Sequence, residues 1–144
     1  MMKMQNTVRI SKDIRARIEE FMTSAYPYEC CGIIIEGKGP GTAQKVISIE
    51  NSADDGVRNE SFEIDPLEMY RIEHLAEEEK AEIIGIYHSH PDKAPILSEA
   101  DIKNMIPEML YLIGSVTENG VKDLRGYLRR ISEGSMYEVI IQEE

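Results

Sequence analysis

Ile83-Ile84-Gly85-Ile86-Tyr87-His88-Ser89-His90-Pro91 is the stretch from which the rest of the chain can be read. Its first half is an apolar run of strand length, as a buried strand requires. If the strand continues into the second half, alternate side chains share a face, so His88 and His90 project together on one side. Pro91 has no backbone donor and stops the ladder. Pro95-Ile96-Leu97-Ser98-Glu99-Ala100-Asp101 follows, a loop leading into a short helix, and the loop can fold Asp101 back against the two imidazoles. Two neutral nitrogens, one carboxylate oxygen and an open fourth position suit one catalytic Zn2+ ion. The plainer alternative is a chance His-x-His pair followed by a helix start with Ser98 as N-cap and an acid at N3.

Upstream, Thr7-Val8-Arg9-Ile10 reads as a strand, and Ser11 caps a helix whose apolar positions Ile14, Ile18, Phe21 and Ala25 recur at helical spacing until Pro27 ends it. Cys31-Gly32-Ile33-Ile34-Ile35 is a buried strand. Glu29, just before it, is on this pattern alone an exposed acid at a strand start. A turn is expected over Gly37-Lys38-Gly39-Pro40-Gly41, a strand over Ala43 to Glu50, a loop over Asn51 to Gly56 and a short strand over Ser61-Phe62-Glu63-Ile64. Asp65-Pro66-Leu67-Glu68 is a helix start with an acidic N-cap, proline at N1 and a capping-box glutamate at N3. Its stripe is Met69, Ile72, Leu75 and Ala76, with His74 on the surface among acids. Ile102, Met105 and Ile106 give the short helix one face before Pro107 terminates it. Leu110 to Val116 is a buried strand, and Leu124 to Arg130 and Met136 to Ile141 form a last antiparallel pair around a turn at Ser132-Glu133-Gly134-Ser135. The order predicts an α/β domain with a mixed, mainly antiparallel sheet, two longer helices and one short helix.

At 144 residues, with 42% hydrophobic and 30% charged residues, one domain spanning 1–144 is expected. The net charge of −11 argues against nucleic acid, whose phosphates need clustered Lys and Arg. From Asp54 to Glu82 eleven acids face Arg58, Arg71 and Lys80, a run read as a solvated face rather than a docking site. Cys30 and Cys31 are adjacent, a poor arrangement for a structural disulfide, and fit a reducing compartment. They are read as small buried residues rather than as zinc ligands. No run of about 18 apolar residues marks a membrane span and the N-terminus lacks a signal-peptide core, so a cytoplasmic protein without membrane contact is expected.

His88-x-His90-Pro91 followed by Ser98-x-x-Asp101, with Glu29-Cys30-Cys31-Gly32 upstream, resembles the signature of the JAMM (MPN+) zinc metalloprotease family in its small prokaryotic form. Asn51 and Phe62 fall where an asparagine and a phenylalanine recur in that family, and the likeness runs from the first helix to the last strand. The resemblance implies the MPN (cytidine-deaminase-like) fold, zinc held by His88, His90 and Asp101, and Glu29 as proton carrier. Ser98 is then either an oxyanion donor or only a helix cap. It further implies cleavage after the C-terminal Gly-Gly tail of a ubiquitin-like or sulfur-carrier protein. No Cys or His follows Asp101, so a second zinc site downstream is not expected. The rival readings are a non-catalytic scaffold of the same fold and a RadC-like DNA-repair-associated protein. A zinc deaminase is disfavoured, because no Pro-Cys-x-x-Cys element is present.

Overall fold

The residue before each element and the apolar period within it set the order of the chain. The computed structural model describes residues 7–39, 44–131 and 136–143. In chain order these form β1 (Thr7–Ile10), α1 (Lys12–Ala25), β2 (Cys31–Gly37), β3 (Gln44–Ile49), a 3-10 turn at Asp55–Val57, α2 (Pro66–Glu78), β4 (Ala81–Pro91), α3 (Glu99–Lys103), β5 (Leu110–Thr117), β6 (Gly120–Arg129) and β7 (Met136–Glu143). The strands make a single seven-stranded sheet in the order β1-β7-β6-β5-β4-β2-β3. Only β1 with β7 and β4 with β5 run parallel; every other neighbouring pair is antiparallel. This is the mixed, mainly antiparallel sheet with two longer helices and one short one that the sequence predicts.

Strand alternation divides the apolar residues into two cores. Ile34, Tyr87, Leu110 and Leu112 pack with Ile14, Ile18 and Met22 of α1 on one face. On the other, Ile33, Ile35, Ile86 and Ile113 pack with Ile72 and Ala76 of α2 and with Met105. Ser11 Oγ accepts from the Ile14 N–H at 3.2 Å to start α1. The buried stripe of α1 is Ile14, Ile18 and Met22, rather than one running through Phe21 and Ala25, which sit at its margin. Each such buried side chain contributes ~1.5–3 kcal/mol, against a few tenths for differences in helix propensity, so packing decides the helix's orientation.

Several local expectations are corrected. Asp65 caps α2 by accepting from Leu67 N at 2.9 Å, but Glu68 lies 3.3 Å from Arg71 instead of closing a capping box. Leu75 is exposed, so the stripe of α2 is carried by Ile72 and Ala76. Ser61 to Ile64 is not a strand: the Ser61 carbonyl and the Glu63 N–H bond to the Asn51 side chain, and Ser52 takes the Glu63 carbonyl. One amide side chain thus stands in for a strand partner. α3 stops at Lys103, capped at Asn104, and Ile106 is exposed. The expected turns at 37–41 and 132–135 fall partly or wholly outside the described residues. No described helix is long and apolar enough to cross a membrane.

The hydroxyl end of the Tyr87 ring packs against Gly32 on the neighbouring strand, where an added Cβ would come within 2.2 Å of the phenol. Tyr87 is wholly buried and has no room to yield. Gly32→Ala is therefore expected to lower stability by ~1–3 kcal/mol through overpacking, read as a fall in the urea midpoint at unchanged m-value; an unchanged midpoint would contradict this packing.

Candidate functional site

β4 delivers both histidines to the C-terminal end of the sheet's centre, flanked by β2 and β5. The period of two holds through the motif. Tyr87 and Ser89 face the α1 side, while His88 and His90 face the α2 side, where their rings tilt toward each other with Nε2 atoms 3.2 Å apart. Both are buried. Asp101 arrives from α3, with Oδ1 3.4 Å from His88 Nε2 and Oδ2 3.4 Å from His90 Nε2.

A capping box sets its aim. Ser98 N donates to Asp101 Oδ2 at 2.8 Å, and Asp101 N donates to Ser98 Oγ at 3.0 Å. The box accepts on the Ser98 oxygen, leaving its O–H proton uncommitted, so capping and donation to a ligand are compatible. His90 Nδ1 lies 3.0 Å from the Ala94 carbonyl; a proton there leaves the lone pair on Nε2, facing Asp101 and His88. Phe62 stacks on His88 with ring centres 4.5 Å apart.

These separations test the fit of a metal. A tetrahedral ion with bonds of about 2.0–2.1 Å holds its ligand atoms roughly 3.3–3.4 Å from one another. The two nitrogens, 3.2 Å apart, match one such edge; each Asp101 oxygen lies 3.4 Å from a different nitrogen, and the donor set of two imidazoles and one carboxylate suits zinc. The residues present fit the ion.

Glu29 is the second carboxylate of the site. It is buried, and its carboxylate with the two imidazoles forms a group whose ligand atoms lie within 4.8 Å of one another. Its backbone is fixed on both sides. Glu29 N donates to the Arg58 carbonyl at 2.7 Å, and Asn51 Nδ2 donates to the Glu29 carbonyl at 3.0 Å. Cys30 N donates to Ser89 Oγ at 2.9 Å, and Ser89 N donates to the Cys30 carbonyl at 3.1 Å. The sequence shows none of these tethers except in outline. Ser89 could have been found as the polar residue that alternation must turn to the opposite face.

The two carboxylates are driven apart electrostatically. Burial pushes Glu29 up to about 7, helped by Asp101 and Glu60 and opposed by His90 and Lys93. Burial also acts to raise Asp101, but hydrogen bonds from His88, His90 and the Ser98 N–H hold it far below the usual carboxylate range. Desolvation lowers the pKa of His88. It works the same way on His90, where Asp101, the Ala94 carbonyl and Glu29 outweigh it and raise the value. Neither cysteine joins the group: both are free and buried, Cys31 Sγ points at the Ile49 carbonyl 3.6 Å away, and burial lifts the thiols to about 11 and about 12. His74 is exposed and pairs with Glu78 at 3.2 Å. All five predicted site residues line one cleft of about 660 Å³, with Phe62, Ile64, Met69 and Ile86 as its apolar wall.

The model of the family described as prokaryotic homologs of the JAB domain matches residues 11–127. A desampylase of Pyrococcus furiosus is 37% identical over 84 residues, 58% of this chain and 56% of the relative, so the match spans little more than half of that protein. Among solved structures, a protein from Desulfitobacterium hafniense superposes with a TM-score of 0.77 at 20% identity, covering 94% of this chain and 92% of the other. One from Salinibacter ruber gives 0.64 at 21%, covering 96% and 92%. A JAB1/MPN domain protein from Archaeoglobus fulgidus gives 0.54 at 18%, covering 94% and 98%. These likenesses establish the fold.

Replacing Ser89 by alanine strands the Cys30 N–H, a buried donor, while leaving the ring faces of His88 and His90 untouched. Ser89→Ala is expected to cost ~1–3 kcal/mol of stability in denaturant titration. A variant of wild-type stability would remove Ser89 from the tether.

Proposed function

The chain belongs to the family of prokaryotic homologs of the JAB domain, and on that premise we propose that it is a zinc-dependent peptidase cleaving the amide bond after the C-terminal Gly-Gly tail of a ubiquitin-like or sulfur-carrier protein. In this reading residues 1–144 are one peptidase domain, working in a reducing cytoplasm where Cys30 and Cys31 stay thiols. His88, His90 and Asp101 are the ligands of one zinc ion, which when bound supplies a Lewis acid and a water acidified to a pKa of about 7. The remaining steps belong to side chains. Glu29 accepts a proton from the attacking water and returns it to the departing amine. Ser98 O–H donates to the oxygen on which negative charge develops, a role worth ~3 kcal/mol. Phe62 and Met69, in the apolar wall, limit water around the tail.

The observation that carries this reading is the convergence of Glu29, His88, His90, Ser98 and Asp101 on one cleft. A scaffold has no need of all five. The name of the desampylase relative points to the same class of substrate. Between the carboxylates, the assignment of Asp101 as ligand and Glu29 as proton carrier is supported by two features: an Asp101 oxygen lies 3.4 Å from each nitrogen, Oδ1 from His88 and Oδ2 from His90, and burial raises Glu29 to about 7, where it can both take up and release a proton, whereas hydrogen bonds keep Asp101 ionised.

Purified protein is expected to hold one zinc per chain by atomic emission and to hydrolyse Gly-Gly-linked conjugates. Glu29→Gln should retain the zinc and lose ~100-fold or more in kcat, whereas Asp101→Asn and His88→Ala should lose both metal and activity. Zinc retained by Asp101→Asn and lost by Glu29→Gln would exchange the two roles. Ser98→Ala should lower kcat by ~100-fold while Ser98→Thr, which keeps the hydroxyl, recovers most of it; equal losses in the two would leave Ser98 no part in the chemistry.

A further inference from the structure

β4 ends at Pro91 and α3 begins at Glu99, so His90 and Asp101 are joined through the loop 92–98. Asp92, Lys93 and Ala94 are exposed, and an exposed connection of this kind is ordinarily the mobile part of a fold. Here it is held from outside at every step. Asp92, whose φ of 57° places it in the left-handed region that turns the chain, donates its N–H to the Val116 carbonyl at 2.8 Å, and its Oδ2 accepts from Tyr26 Oη at 2.8 Å. The next three carbonyls then meet three side chains in succession. Ser115 Oγ donates to the Lys93 carbonyl at 2.6 Å, His90 Nδ1 faces the Ala94 carbonyl at 3.0 Å, and Tyr127 Oη donates to the Pro95 carbonyl at 2.7 Å.

The middle contact of the three belongs to the site. A carbonyl can only accept, so the Ala94 oxygen bonds to His90 when Nδ1 carries the proton, which leaves the Nε2 lone pair facing His88 and Asp101. Taken alone that bond is weakly specified, because Ala94 is exposed and water competes for its oxygen. The flanking bonds remove the freedom. Ser115 stands directly opposite His90 where β5 pairs with β4, so its side chain shares the face of the His90 ring. Tyr127, on β6, is buried in the core with Tyr111 and Ile113. A phenylalanine would fill the same space; the tyrosine oxygen finds its partner in the loop, in a bond that is itself buried. Neither residue lines the cleft, so any effect on the chemistry passes through His90 and Asp101 rather than through contact with a substrate.

We propose that Ser115 and Tyr127 are positioning residues of the site: by fixing the carbonyls on either side of Ala94 they hold the Ala94 oxygen where it selects the His90 tautomer protonated on Nδ1, and they set the path by which the loop returns Asp101 to the two imidazoles. The inference rests on the reading of His90 and Asp101 as zinc ligands for its consequence, a site shaped before the ion arrives. A clamp that served the fold alone would lower stability when cut and leave the His90 ring and the zinc affinity as they were.

Tyr127→Phe and Ser115→Ala each delete one hydroxyl, and long-range proton–nitrogen correlation spectra of the zinc-free protein, taken where the imidazoles are neutral, read the tautomer of each histidine. Wild-type His90 is expected to be protonated on Nδ1 and the two variants to show a mixture, more evenly divided when they are combined, while the exposed His74 stays unchanged as an internal control. Zinc affinity, by competition with a chromogenic chelator, should fall about threefold to tenfold in each single variant and ~10–100-fold in the double. Ser115→Thr, which keeps the hydroxyl, should hold both readings at wild-type values. Urea unfolding is followed alongside: variants that lose stability yet keep one His90 tautomer and a zinc affinity within about twofold would overturn the inference, and a wild-type ring protonated on Nε2 would do so outright. If the double variant does not fold, the single variants decide by the same two readings. A wild-type protein that binds no zinc would sink the zinc reading, and the spectra alone would then decide this one: mixed tautomers in the variants uphold the positioning role, and an unaltered ring overturns it.

Discussion

The alternation of side chains along β4 is the constraint from which the site follows. It turns His88 and His90 to one face and Ser89 to the other, and Ser89 is what fastens Cys30, and with it Glu29, alongside. A slip of one residue would exchange the faces: the imidazoles would enter the core beside α1, and the hydroxyl would enter the cleft. Two things prevent this. β4 is paired on both sides, with β2 and with β5, and Tyr87 is seated over Gly32. The glycine that admits the phenol therefore helps to hold the register that aims His88 and His90, one and three positions on from Tyr87.

Burying two carboxylates and two imidazoles in one place is expensive unless the charges are matched. The arrangement divides the carboxylates by environment. Asp101 lies against both nitrogens and takes a backbone N–H, which favours its charged form; Glu29 is held by its backbone, leaving the carboxyl to respond mainly to desolvation. Two acids in one cleft are thereby given different protonation behaviour, Glu29 by desolvation and Asp101 by hydrogen bonds, the general way in which environment separates paired carboxylates.

What could be read from the sequence is what local chemistry decides. The proline at the end of β4, the N-caps Ser11 and Asp65 and the capping box Ser98–Asp101 all act within a few residues, and each was legible. The His-x-His spacing was legible because a strand has a period of two. The misreadings arise where a distant group intervenes. Ser61 to Ile64 has strand composition, but the Asn51 side chain takes its backbone groups from ten and twelve residues away. Leu75 and Ile106 fit a helical stripe by period, yet they are exposed, and the buried core on that side is made by Ile72, Ala76 and Met105. Glu29 looked like an exposed strand start because the groups that tether it and its neighbour Cys30, from Arg58, Asn51 and Ser89, are not near it in sequence. The acidic run from Asp54 to Glu82 looked uniform because sequence cannot tell which carboxylates have partners.

α3 carries the remaining step of the argument. A helix of five residues has no stability of its own, since nucleation costs more than so few hydrogen bonds return. Its place is set by its ends and by what Asp101 touches. The N-cap bonds and the contacts to His88 and His90 use the same carboxylate, so the energy that forms the helix is also the energy that aims the Asp101 side chain. The cap holds the Ser98 oxygen at a fixed point beside the cleft and leaves its hydroxyl proton uncommitted, so capping and donation into the cleft are compatible. The same logic explains how the fold persists in structures only 18–21% identical. A sheet with two apolar faces tolerates wide substitution of its core provided volume and pattern are kept, whereas the placing of His88 and His90 needs the register of β4 between β2 and β5 to be kept.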